Sequence, residues 1–180
     1  MSQDANKSLY ESQNASAGSD PFDILSGSPL PAVNRDRVLS ALNSAELDMA
    51  ATAHPEDATT AVARLNDLDW VITVEEGLVR IECVLSTQLN ADMLPIFHVL
   101  CNEFNAGAFD GRALVGLVED EVELRGDACF VTTAGLNEDQ LFHALNVGII
   151  NAQEALLSVL DTFNAAAREL ARDDDAAEGD

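Results

Sequence analysis

Apolar positions along this chain repeat with two different periods, and the points where the period changes mark its elements. In "WVITVEEGLVRIECVLS" (70–86), Val79, Ile81, Cys83 and Leu85 alternate with Arg80 and Glu82, the period of a strand with one buried face. Glu75, Glu76 and Gly77 interrupt the alternation, which predicts a hairpin. "AVARLND" ahead of it offers a further strand over 62–67.

A second alternating stretch is "ALVGLVEDEVELRGDACF" (113–130). Ala113, Val115 and Leu117 share one face, and Val122, Leu124, Ala128 and Phe130 share a face of the next strand. A two-residue turn at Glu119 and Asp120 would pair Leu117 with Val122 and Val115 with Leu124, so that both apolar sets look the same way. Glu121, Glu123, Arg125 and Asp127 then fall on the opposite face, where water solvates them.

Three stretches carry the helical period. Asn34 caps "RDRVLSALNSAEL", in which Val38, Leu39 and Leu42 share a face and Asp36 sits in the first turn. The following "DMAATAHPEDATTA", with Pro55, acids and small residues, reads as a loop. In "NADMLPIFHVLCNEFN" (90–105), Met93, Phe97, Leu100 and Phe104 line one side, Asn90 is the cap, and Pro95 bends or delays the helix. Gly107 and Gly111 then open a loop.

The last helix opens with a capping box, "NEDQ" at 137–140. Phe142, Leu145, Ile149, Ala152, Leu156, Val159, Phe163, Ala166 and Leu170 keep three-four spacing, widened by Leu141, Ile150, Leu157 and Leu160. So wide an apolar face must meet a sheet, another chain, or both. Leu156, Val159 and Phe163 are the expected seam of a homodimer. Gly148 costs about 1 kcal/mol relative to Ala in mid-helix, which points to close packing against a neighbouring backbone.

The chain therefore divides into three parts. Residues 1–33 form a disordered or loosely docked arm, with "PFDIL" (Pro21 to Leu25) as its one apolar patch. Residues 34–171 form a single α+β domain in the order α-β-β(-β)-α-β-β-α, and 172–180 form an acidic disordered tail.

Charge narrows the partners. Thirty-two acids against nine bases give a formal charge of -23, which repels nucleic-acid phosphate and anionic lipid. No window approaches the ~18 apolar residues of a membrane span, and the start "MSQDANKSLYESQ" lacks a basic region followed by an apolar one. A cytoplasmic protein without membrane insertion is expected. Cys83, Cys101 and Cys129 are odd in number and form no CxxC, which argues against a disulfide framework and a thiolate zinc site.

Candidate chemistry is sparse. The carboxylates of Glu119, Asp120, Glu121 and Glu123 lack the glycine and the alternating oxygen ligands of a calcium loop, and a water-facing turn gives no contrast of environment for acid-base work. His98 and Cys101 lie three apart on a helix, but a zinc site would need His143, His54 or another Cys brought in by folding. A Cys-His catalytic pair would lack an orienting third residue. Neither a glycine-rich phosphate loop nor G-x-S-x-G nor H-E-x-x-H is present. Neither catalysis nor a cofactor or metal is expected. Trp70, Phe97, Phe104, Phe130, Phe142 and Phe163 read mainly as core, with a minority available to line a groove for an extended client.

The order and texture of residues 65–163 resemble the YbjN-like family of bacterial sensory transduction regulator domains, whose fold is similar to type III secretion chaperones. The resemblance is carried by "LDWVITVEEGLVRIECVL", "LPIFHVLCNEFNAG", "ALVGLVEDEVELRGDACF" and "AGLNEDQLFHALNVGIINAQEAL". Its most specific points are Asn102 and Asn105 around Phe104, and the helix start at 135–140. Two departures are the glycine-free turn in "VEDEVE" and the long loop at 48–61. The resemblance implies a twisted antiparallel sheet flanked by helices, homodimeric, binding other proteins and without established chemistry. The expected function is a non-catalytic, chaperone-like adaptor or regulator that holds a client protein segment in apolar grooves with an acidic rim. The competing classes are a small metal- or ligand-dependent enzyme and a signalling component acting through its tails.

Overall fold

The computed structural model describes residues 29–177. Helix α1 (Arg35–Leu42) precedes four strands: β1 (Thr52–Ala53), β2 (Thr60–Leu65), β3 (Leu68–Glu75) and β4 (Leu78–Asn90). A 3-10 turn (Ala91–Met93) leads into α2 (Leu94–Gly107), followed by β5 (Arg112–Val118), β6 (Glu121–Val131) and α3 (Glu138–Ala177). The six strands form one antiparallel sheet in the order β1-β2-β3-β4-β6-β5.

Alternation decides which face is covered. Trp70, Ile72, Val79, Ile81 and Cys83 are buried, while Asp69, Arg80 and Glu82 between them point the other way. The same parity holds in β5 and β6, with Ala113, Val122, Leu124 and Ala128 inward. All three helices of the described residues pack on this face: α3 lies over β6 and β4, α2 over β5, and α1 beside α3 over β2 and β1. One hydrophobic core results, joining Val38 and Leu42, Phe97, and Leu141, Leu145 and Leu156 to the strands.

Turn chemistry sets the register. Asn66 and Asp67 (φ 54° and 62°) and Glu119 and Asp120 (φ 51° and 68°) make two-residue turns left-handed at both centres, the sign pattern of type I′. The glycine-free turn thus has the geometry that usually recruits glycine. It delivers the expected pairs, Leu117 with Val122 and Val115 with Leu124. At β3–β4, Gly77 supplies the left-handed position (φ 77°).

Several boundaries differ from the sequence-based expectation. Helix α1 stops at Leu42 rather than near residue 47, because Asn43 turns its side chain onto the backbone of Ala51. The loop at 48–61 contains the short strand β1. Strand β2 spans Thr60–Leu65, since Asn66 and Asp67 are consumed by the turn. Helix α2 is delayed as expected: Asn90 caps the 3-10 turn, and Pro95 lies in the first α-helical turn. Glu123, expected to be solvated, is buried, its carboxylate held by Arg125 at 2.6 Å.

The caps at Asn34 and at Asn137–Gln140 form as expected; in the latter each side chain accepts from the other's backbone N–H. Helix α3 continues to Ala177, so the acidic run set apart from residue 172 is helical that far. Of the arm, residues 1–28, including "PFDIL", lie outside the described residues, as do 178–180. The segment just before α1 is clasped by Arg37, whose guanidinium donates to the carbonyls of Pro31, Ala32 and Leu136 and to Glu138.

Candidate functional site

The residue types that could carry chemistry are kept apart. Glu119 and Asp120 form an exposed turn, and among the described residues no group of three or more His, Cys, Asp and Glu side chains could hold a metal. His98 is exposed and Cys101 buried, so the pair does not converge on one ligand position. His54 accepts from the backbone N–H of Glu56, and His143 is exposed on α3. Burial pushes the Cys83 thiol up to about 11 and raises that of Cys101 as well, which keeps both protonated and poorly nucleophilic at neutral pH. Cys129 is exposed.

Leu156, Val159 and Phe163, the expected seam, lie elsewhere. Leu156 and Val159 are 1% and 2% exposed within a single chain, so their apolar area is already spent on the sheet. Phe163 is half-buried with its ring 4.7 Å from that of Phe97 on α2. The exposed apolar stripe of α3 is its other side: Val147, Ile150 and Leu157.

Glycines bring α3 down onto the sheet. A Cβ on Gly126 of β6 would overlap the Ala152 carbonyl, and one on Gly111 would stand 2.6 Å from the Asn151 carbonyl. Gly148, the position expected to touch a backbone, instead meets a strand side chain: its Cβ would lie 2.5 Å from Cδ1 of Ile81. The helix therefore packs almost directly on β6, with no side-chain layer between them at these points.

Strand β6 outlasts its neighbour. Strand β5 begins at Arg112, opposite Asp127, whereas β6 continues to Val131. The side-chain amide of Asn105 holds both backbone polar groups of Ala113, so these point away from β6, and the Ala113–Gly126 pair is the non-hydrogen-bonded kind. The odd residues of β6 therefore direct N–H and C=O toward β5. Thr132 confirms the parity by donating to Gly77 on the β4 side. Beyond Asp127 that parity continues at Cys129 and Val131, whose groups face a notch where, among the described residues, no strand meets them.

The notch is apolar on the helix side. A cleft of about 280 Å³ is lined by Ala128, Phe130, Val147 and Gly148 together with His143 and Asn151. Clefts of about 390 Å³ and 220 Å³ adjoin it, and Asp110 lines all three. Phe109 at the rim is 98% exposed, and Val131 at the strand end is 68% exposed. The sequence carried weak signals for this site: Phe109 falls outside every period, and only pairing reveals that β6 is the longer strand.

The opposite face of the sheet offers a different texture. Arg80 pairs with Asp127 at 3.0 Å and Glu82 at 3.4 Å, Arg64 with Asp69 at 2.8 Å, and Arg125 with Glu123. Three arginines thus stand against four carboxylates, so these bridges offset most of the charge of the groups they join.

The fold is an α+β class, an open antiparallel sheet with helices on one face and, beside α3, a stretch of strand edge that no other described strand meets. Solved structures share it, among them YbjN from E. coli, described as a candidate transcription regulator. The two chains are 12% identical and superpose with a TM-score of 0.61, over 74% of this chain and 95% of that one. The chain thus has a YbjN-like fold. No family model matches the sequence, and no curated protein matches it. Among the described residues, no helix is long and apolar enough to cross a membrane.

Proposed function

We propose that this protein is a non-catalytic binding module, an adaptor or regulator that holds an extended client segment against the free end of β6. The observation that carries this is the notch: outward backbone groups of Cys129 and Val131, a cleft floored by Ala128 and Phe130, and Phe109 exposed at the rim. An added strand would satisfy the two edge residues while its alternate side chains fill the cleft. The charge of -23 steers basic clients, an attraction that salt screens. YbjN is described as a candidate transcription regulator. By that likeness, regulation here would pass through protein contacts, because such a charge repels DNA phosphate.

The test is co-purification from native lysate with the full chain as bait, read by mass spectrometry. Polypeptides captured by the native chain are expected to vanish with F109D/V131D and to persist with E119Q at the hairpin tip. Identical capture by all three chains would sink the proposal. Stoichiometric zinc in the purified protein would favour an enzyme instead.

A second copy is the partner we assign to the outward stripe of α3. Ile150 and Leu157 are exposed there, whereas Leu156 and Val159 are buried within the single chain. Light scattering at micromolar concentration should give a dimer for the native chain and a monomer for I150E.

A further inference from the structure

We propose that the notch is filled in cis by the chain's own arm, with Pro21 to Leu25 pairing beside β6 as a seventh strand. This rests on the same notch as the proposed function, but it requires no client.

The tether places the segment within reach. The described chain begins where the Leu30 carbonyl lies against Gly135, so closely that a Cβ there would overlap it, and the Pro31 carbonyl accepts from Leu136 at 3.1 Å. Gly135 follows Val131 by four residues, a span of at most about 14 Å, while the five residues from Leu25 to Leu30 can extend roughly 17 Å. Arg37 fixes the near end of this tether through Pro31 and Ala32. The arm is therefore delivered to the end of β6 at high effective concentration.

The chemistry also fits. "PFDIL" alternates, so Phe22 and Ile24 would share one side of a strand and Asp23 the other. With Phe22 and Ile24 in the cleft over Ala128 and Phe130, Asp23 falls on the sheet face that carries Arg112. Pro21 cannot donate a hydrogen bond and suits the first residue of an edge strand. A filled notch would also cover a strand end that otherwise invites edge-to-edge association. A client would then have to displace the arm, which makes the arm an internal competitor.

Residue-resolved hydrogen exchange on the full chain tests this. The amides of Cys129 and Val131 are expected to exchange at least about tenfold more slowly in the native chain than in F22D/I24D, the ratio for a site occupied roughly nine-tenths of the time. The amides of Ile81 and Leu124 should exchange alike in both chains, showing an intact core. The anchor beyond Val131 makes the arm run parallel to β6, a direction in which the Ile24 N–H faces that strand, so I24P removes one pairing donor and should lose protection as F22D/I24D does. Equal rates at Cys129 and Val131 in all three chains would overturn the proposal. Protection that survives the substitutions but fades on dilution would overturn it too, giving the notch to a second copy. Amides that respond as expected in a chain that captures no client would leave this inference standing and remove the proposed function. Client capture by a chain with unresponsive amides would do the reverse.

Discussion

Asn105 and Ala113 are joined by two hydrogen bonds, Nδ2 donating to the Ala113 carbonyl at 2.8 Å and the Ala113 N–H donating to Oδ1 at 2.9 Å. Asn43 and Ala51 repeat the arrangement, also eight residues apart, at 2.9 Å and 2.6 Å. In each case a residue at the end of a helix imitates a strand and closes one rung beside an outermost strand, β5 or β1. Asn105 is among the residues that carry the family resemblance, and its work here is structural.

Removing that amide should cost stability. N105A leaves the part-buried N–H and C=O of Ala113 without partners, a loss of about 1–3 kcal/mol. Urea denaturation should show the midpoint falling with little change in slope. N43A should behave similarly, and because the sites lie at opposite sheet edges the double variant should be close to additive.

Close approach of α3 to β6 makes Gly126 intolerant of even one methyl. G126A puts a Cβ into the Ala152 carbonyl and 3.0 Å from the Cys83 sulfur, so the helix must lift, at about 3 kcal/mol or more. Gly116 on β5 has no atom within 4 Å of such a Cβ, and G116A should be neutral or gain up to about 1 kcal/mol. Thermal denaturation of the two variants, side by side, checks the contrast.

The type I′ turn at Glu119 and Asp120 stores strain. A left-handed non-glycine residue costs roughly 1–2 kcal/mol, partly offset by the entropy glycine loses on folding. D120G should therefore stabilise the protein by about 0.5 kcal/mol, visible as a higher melting temperature.

Thiol chemistry should separate the three cysteines. Near neutral pH a maleimide should label Cys129 first, and Cys83 and Cys101 only on unfolding. Burial raises the Cys83 thiol from its ordinary 9.0 to about 11 in the folded chain. The folded state thus holds the proton that the unfolded state releases, so this contribution is full below pH 9.0 and is lost as pH rises toward 11. A stability profile of native protein against C83A should diverge in that window.

Periodicity made most of the fold legible. Val79, Ile81 and Cys83, Val115 and Leu124, and Leu145, Ile149 and Leu156 all lie on the inner side that their spacing required. Side-chain use of the backbone was less visible: nothing in the pattern says that Asn43 ends α1 early. The notch was beyond reach because it arises from unequal strand lengths, a property of pairing rather than of either sequence. The pattern alone suits Leu156 and Val159 to a dimer seam as well as to a sheet, because one apolar stripe cannot say whether a sheet or a second helix covers it.

Helix α3 has 40 residues, a rod of about 60 Å, and the core beneath it ends near Phe163. Between its first turn and that point its amides should open mainly with the whole molecule. Past it, where Leu170 already faces water, the alanine-rich "NAAARELAR" depends on helix–coil balance alone. One continuous backbone thus reports two equilibria, and gentle warming should shorten the helix from its C-terminal end well before the sheet melts.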